Sequence, residues 1–212
     1  MKKTLSLLLA ALLLCGVILF FGACAKLDTT GLAEAAPDLI ARSVLFNEIY
    51  FGDGIPYNKN DAPAIGAFYY ADPAYLVENG FSTVEQLKTL TKQVFSAEYS
   101  ATIFQNALEG YAVEGTTDYS YARYSSNQAL KLRDEKETIL VNEDYNFFTI
   151  GKTTYDYATL TLSEVTKDSA VMSINVTTVY AATEKQDEFT TTDTLEITFV
   201  YENGWRIDSP TY

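Results

Sequence analysis

The feature that most narrows what this chain can fold into is a strict alternation in its last fifty residues. Met172, Ile174, Val176, Thr178 and Tyr180 are large at every second position, with Ser173, Asn175 and Thr177 between them. Successive side chains of a strand point to opposite faces, so this spacing predicts a strand with one buried face. The next stretch does the same with Phe189, Thr191, Leu195, Ile197, Phe199 and Tyr201. Turn signals separate the runs at Thr166-Lys167-Asp168-Ser169, at Glu184-Lys185-Gln186-Asp187 and at Asn203-Gly204, the last a hairpin dipeptide of the primed-turn type. Tyr155, Tyr157 and Leu160 open an earlier strand, and Trp205 with Ile207 opens a closing one. From about Tyr111 onward, threonine, tyrosine and valine are dense and no helical period survives, so the second half reads as an antiparallel meander.

The first half reads differently. Pro37 suits a first helical turn, Asp38 complements its dipole, and Ile40, Val44, Leu45 and Ile49 follow at helical spacing until Gly52-Asp53-Gly54. Residues 55–80 are rich in proline, glycine and aromatics, a loop expected to fold over the domain and rim any cleft. Ser82-Thr83-Val84-Glu85 has the S-x-x-E capping pattern, with Val84, Leu87, Leu90 and Val94 on one face behind it. Ser96 is placed to cap a further helix carrying Ile103, Phe104, Ala107 and Leu108 before Gly110. Helices first and strands after predict an α+β fold, N-terminal helices packed on a curved antiparallel sheet. At 212 residues, 48% of them apolar, the chain supports one such domain, expected over residues 37–212.

Ahead of that domain, Lys2 and Lys3 precede an uncharged run from Thr4 to Ala25, the anatomy of an export signal or of a membrane anchor. The run ends in Phe21-Gly22-Ala23-Cys24, which resembles the lipobox of exported bacterial lipoproteins, with Phe21 where leucine is usual. The resemblance implies a signal peptide over residues 1–23, a lipid on Cys24 and a tether to about Ala36. A plain anchor would leave the same domain on the same side, so an extracytoplasmic location, held at the cell membrane, is expected either way. Loss of Lys2 and Lys3 with the leader would take the net charge from −13 to −15, and with Cys15 discarded and Cys24 acylated no disulfide could staple the fold.

The chemistry is bounded by what is missing. The sequence has no histidine, which removes imidazole from every catalytic or metal-binding scheme. An excess of 28 acidic over 15 basic residues disfavours nucleic acid as a partner. No nucleophile elbow, S-x-x-K motif or phosphate loop is present, and no catalytic residue or cofactor is expected. Asp53, Asn58, Asn60 and Asp61 offer oxygen atoms to calcium but lack the EF-hand spacing, and a solvated turn explains them equally, so no metal is expected. Asp134, Glu135 and Glu137 lie in a mixed charge run that one solvated turn explains. What exceeds ordinary composition is tyrosine, sixteen of them. Rings with polar tips either fill a half-buried sheet or form a recognition surface, and Tyr69, Tyr70, Tyr119, Tyr121, Tyr155 and Tyr157 are the candidate binding residues.

With helices before a meander that closes in Asn203-Gly204-Trp205-Arg206-Ile207-Asp208, the chain resembles the NTF2-like, or cystatin-like, α+β cone. More narrowly, Tyr69-Tyr70, Phe81-Ser82-Thr83-Val84-Glu85-Gln86-Leu87 and Val94-Phe95-Ser96-Ala97-Glu98-Tyr99 look like the segment before the sheet in exported proteins of the IseA type. That family inhibits the DL-endopeptidases that cut cell-wall peptidoglycan, which implies a non-catalytic inhibitor whose partner is a cell-wall hydrolase or another envelope protein. Two other functions fit the residues: a small-molecule or proton-transfer pocket lined by tyrosine, with a carboxyl group at its bottom, and a structural module of an envelope assembly.

Overall fold

The computed structural model describes residues 26–112, 119–120, 122–132, 136–145, 150–182 and 186–212, with the side chains of 111, 112, 119 and 120 left aside. The leader, Cys24 and Tyr121 lie outside the described residues. Helix α1 spans Leu32–Phe51, β1 Phe68–Tyr70, α2 Pro73–Glu78, α3 Val84–Thr91 and α4 Ala97–Phe104, continued by one π turn over Gln105–Glu109. The strands β2 (Tyr111–Ala112), β3 (Tyr119–Ser120), β4 (Tyr124–Ser126) and β5 (Ile139–Asn142) follow. Last come β6 (Lys152–Val165), β7 (Ser169–Tyr180), β8 (Phe189–Tyr201) and β9 (Trp205–Ile207). The fold is α+β, as the order of patterns predicts.

The meander is a four-stranded antiparallel sheet in the order β6-β7-β8-β9. Met172 pairs with Ile197, Ala170 with Phe199, and Phe199 with Ile207, so the large residues of three strands share one face. All of these are buried, in one core with Ala36, Leu39, Ile40 and Phe46 of α1. Burying each large side chain of this kind contributes about 1.5–3 kcal/mol, which is what presses α1 onto the sheet. The strands are not one sheet: β1-β5-β4 form a second and β2-β3 a third. No helix among the described residues is long and apolar enough to cross a membrane.

Several local expectations shift. The helix begins at Leu32, not Pro37, so residues 32–36 belong to the packed domain rather than to the tether. Asp28 makes the start: its carboxylate accepts from the Thr30 amide and hydroxyl, Gly31 turns at φ +78°, and Leu32 and Ala36 are buried. Burial of that face outweighs the helical hydrogen bond that Pro37 cannot donate. Val44, expected inside, is 43% exposed. The α3 cap sits one residue later than the S-x-x-E spacing suggests: Thr83 accepts from the Gln86 amide, and the Gln86 side chain reaches back to Ser82. Glutamine completes the box as well as glutamate does. The aromatic segment is less irregular than expected, because β1 pairs with β5 and α2 follows it, capped by Asp72. The Asn203-Gly204 hairpin is present, but Tyr201 pairs with Trp205, leaving a three-residue connection with Asn203 at φ +54°. Part of the turn at 184–187 lies outside the described residues.

Candidate functional site

Two polar residues break the apolar face of α1. Ser43 and Asn47, four apart, are both buried between Ile40, Phe46 and Tyr50. Buried polar groups need partners, and these come from the far end of the chain, where β9 runs on into Pro210-Thr211-Tyr212. The tail is held there by β9 itself. The Phe95 backbone bridges Ile207, the Ser96 amide donates to the Ile207 carbonyl at 2.8 Å, and the Trp205 indole donates to the Thr30 carbonyl at 3.2 Å. Ser96 caps α4 as expected, through the Tyr99 amide, and its hydroxyl also bonds Asp208.

Thr211, fully buried, then meets both helix residues: Asn47 Nδ2 donates to Thr211 Oγ1 at 2.7 Å, and Thr211 Oγ1 lies 2.8 Å from Ser43 Oγ. The Tyr155 hydroxyl of β6 donates to the Thr211 carbonyl. Burial, offset by these hydrogen bonds, pushes the Tyr155 hydroxyl up to about 12. The Tyr212 ring packs on Phe51 with centroids 4.9 Å apart, and burial raises the hydroxyls of both Tyr99 and Tyr212.

Beside this cluster, α1, the residues leading into β6 and Tyr212 enclose an open cavity of about 510 Å³, lined by Val44, Asn47, Glu48, Ile150, Tyr155 and Tyr212 among others. A second hollow of about 590 Å³ shares Glu48, Ile150, Gly151 and Lys152 with it and reaches Asp53 and Glu188. Together they form a trough along the C-terminal half of α1. Its acidic end is set by the helix terminus. Tyr124 donates to the Ile49 carbonyl at 2.6 Å and accepts from the Ile55 amide at 3.0 Å, while Arg123 donates to the Gly52 carbonyl at 2.7 Å. Gly54, at φ +86°, lets the chain pass against both; a Cβ there would collide with the Tyr124 hydroxyl.

The predicted tyrosines do not form one surface. Tyr155 lies in the trough. Tyr157 is beside it, with ring centroids 6.1 Å apart, and is lifted outward because residues 157–160 of β6 face only residue 174 of β7. Thr159 fixes this bulge, accepting from the Asn175 amide and donating to the Asp156 carbonyl. Tyr69 packs against Tyr57 with the rings tilted and their centroids 5.1 Å apart, near the Lys59–Glu143 ion pair of 3.3 Å, and its partial burial with the nearby Glu143 carboxylate raises its hydroxyl. Tyr70 borders a separate cavity of about 440 Å³ with Leu76, Val77 and Lys136. The backbone of Tyr119 pairs with Ala112, while Tyr121 and the acidic pair Asp134 and Glu135 fall outside the described residues.

Of the oxygen-bearing residues considered for calcium, Asn58 accepts from the Asn60 amide and donates to Asp61 in one turn, with Asp53 elsewhere at the end of α1. Among the described residues no three His, Cys, Asp or Glu side chains converge. Sequence reasoning missed Ser43, Asn47, Thr211 and Tyr212. The signal was available in part, since two polar residues four apart on an otherwise apolar helix face need buried partners.

Compared with family models, with curated proteins and with solved structures, the chain matches none.

Proposed function

We propose that the chain is a non-catalytic binding protein on an NTF2-like, or cystatin-like, cone, held outside the cell by a lipid on Cys24. Its most concrete task is inhibition or modulation of a cell-wall DL-endopeptidase. The observation that carries this reading is an interior that is both filled and free of charge. The sheet face that would line a pocket is occupied by Ala170, Met172, Ile174, Val176, Ile197 and Phe199, none more than 7% exposed. Among the described residues no aspartate, glutamate, lysine or arginine is buried. Among the described residues no buried carboxyl group stands at the floor of either cavity, which favours a binding role over a proton-transfer pocket. What remains for recognition is the rim, where an acidic trough and exposed rings suit a basic protein surface.

The test is a titration of the full chain, solubilised in mild detergent, against a purified wall DL-endopeptidase acting on peptidoglycan. Inhibition that weakens as salt rises is the expected result, because the attraction is between opposite charges. Absence of inhibition at every salt concentration overturns the inhibitor reading.

A further inference from the structure

The two edges of the four-stranded sheet are finished differently. On β6 the pairing with β7 shifts twice, between Asp156 and Thr161 and between Leu162 and Glu164, and such bulges blunt an edge against further strands. β8 pairs with β7 through twelve consecutive residues without a shift. Its other side is covered at one end, where β9 pairs with Phe199, Val200 and Tyr201. The tail reaches one residue further: the Asp208 amide donates to the Thr198 carbonyl at 2.8 Å, and the Thr198 amide donates to Ser209 Oγ at 3.0 Å. From there the tail leaves for α1, where Thr211 is held. Both backbone groups of Thr198 thus point away from β7, and along a strand every second residue points the same way. The amides and carbonyls of Thr190, Thr192, Thr194 and Glu196 therefore face the open edge. All four residues are exposed, and these backbone groups have no hydrogen-bond partner among the described residues.

We infer that this edge binds an extended basic segment of a partner protein, which joins the sheet as a strand antiparallel to β8. Residues 190–196 span about 20 Å, room for a strand of equal length. Main-chain hydrogen bonds hold such a strand, and the side chains opposite one another select it. β8 carries Asp193 on one face, Glu196 on the other and no basic residue, with Glu188 just ahead of it. In an antiparallel partner the positions opposite Glu196 and Asp193 are three apart, so the edge selects Lys-x-x-Lys, with β-branched residues suited to the places beside the threonines. A second copy of this chain fits badly. Full self-pairing of residues 190–196 would set Asp193 against its own duplicate, on chains of net charge −13, and like charges directly opposite destabilise a sheet. The open edge is a feature of the fold and stands whether or not the wall-hydrolase reading does.

The probe is the peptide acetyl-Lys-Val-Thr-Lys-Thr-Val-Thr-amide, written to lie opposite residues 196 back to 190, titrated into the full chain in detergent and followed by amide exchange in NMR. In the free chain the amides of Thr190, Thr192, Thr194 and Glu196 should exchange about a hundredfold faster than those of Thr191, Asp193 and Leu195, which face β7. The peptide should saturate and slow the first set about tenfold or more. A peptide with glutamate for both lysines, and one N-methylated at its third and fifth residues, should each bind about tenfold more weakly or worse. Thr192→Pro removes one outward amide without touching a bond to β7, and should weaken the peptide about tenfold. Asp193→Lys combined with Glu196→Lys should reverse the preference in favour of the glutamate peptide. Slow exchange of the four outward amides in the free chain overturns the open edge, and so does their protection by dimerisation, seen in sedimentation. Equal binding of the parent and N-methylated peptides overturns strand addition, and decides the matter should Thr192→Pro fail to fold.

Discussion

Removing one oxygen from Tyr124 should destabilise the domain far more than removing one from Tyr50, although both rings are fully buried. Tyr124→Phe takes away two hydrogen bonds at once, and both partners are backbone groups in the interior. The Ile49 carbonyl lies at the last turn of α1, and the amide that an unbroken helix would bring to it, that of Asp53, turns instead to the Glu48 carboxylate. The Ile55 amide is equally dependent on the phenol. Each orphaned buried group costs about 1–3 kcal/mol, less the desolvation of the phenol itself, giving about 2–4 kcal/mol in all. Tyr50 offers the contrast. Its partner Thr91 already donates to the Leu87 carbonyl, so the Tyr50 hydroxyl is the donor between them, and Tyr50→Phe leaves only a spare lone pair on Thr91. About 1 kcal/mol is expected there. Urea unfolding of the full chain, followed by the fluorescence of Trp205, measures both at an unchanged slope. Equal losses in the two variants would refute the assignment of Tyr124 as the cap of α1.

Three further outcomes follow from the same contacts. Trp205→Phe loses the bond to Thr30 and part of a buried ring, and should cost about 2–3 kcal/mol in the same urea assay while leaving far-UV circular dichroism unchanged. Burial raises the hydroxyls of Tyr50, Tyr99, Tyr124 and Tyr155 above their ordinary value of 10, so the folded state keeps protons that the unfolded state gives up. Stability from this source is complete below pH 10 and declines as pH rises beyond it, by about 1.4 kcal/mol per unit for each such tyrosine until it ionises in the fold. Absorbance at 295 nm should therefore show a subset of phenols that ionise only on unfolding. Thr211→Val keeps the shape of the tail but leaves the Asn47 amide without its acceptor, and thermal unfolding should show a loss of about 2 kcal/mol.

What was legible in the sequence depended on how far apart the cooperating residues stand. The alternation at 172–180 is a property of neighbours, and it predicts the buried row Met172, Ile174, Val176 and Thr178 of β7. The Ser96 cap needs three residues and is likewise visible. The start of α1 was misplaced because Pro37 is a strong local sign, whereas burial of Leu32 and Ala36 is decided by a sheet more than a hundred residues away. Tyrosines could be counted but not assigned: nothing in the spacing says that Tyr155 donates across 56 residues to Thr211, while Tyr69 faces Tyr57 on another surface. The polar cluster joins residues 168 apart, a distance at which pattern carries no information.

That cluster also has an energetic cost of its own. Fastening the tail through Ser43, Asn47 and Thr211 leaves one buried acceptor, Asn47 Oδ1, without a partner among the described residues. Asn47→Leu removes one donor bond to Thr211, about 1 kcal/mol, and at the same time removes the buried acceptor that nothing satisfies, a gain of similar size. Thr211 stays hydrogen-bonded to Ser43, so the tail keeps its anchor. Net stability in urea should therefore change by less than about 1 kcal/mol, in contrast to Thr211→Val, which strands the donor and keeps the orphan. If Asn47→Leu instead destabilises the fold as much as Thr211→Val does, the donor bond from Asn47 to Thr211 outweighs the cost of the unmet acceptor, and the reasoning is refuted.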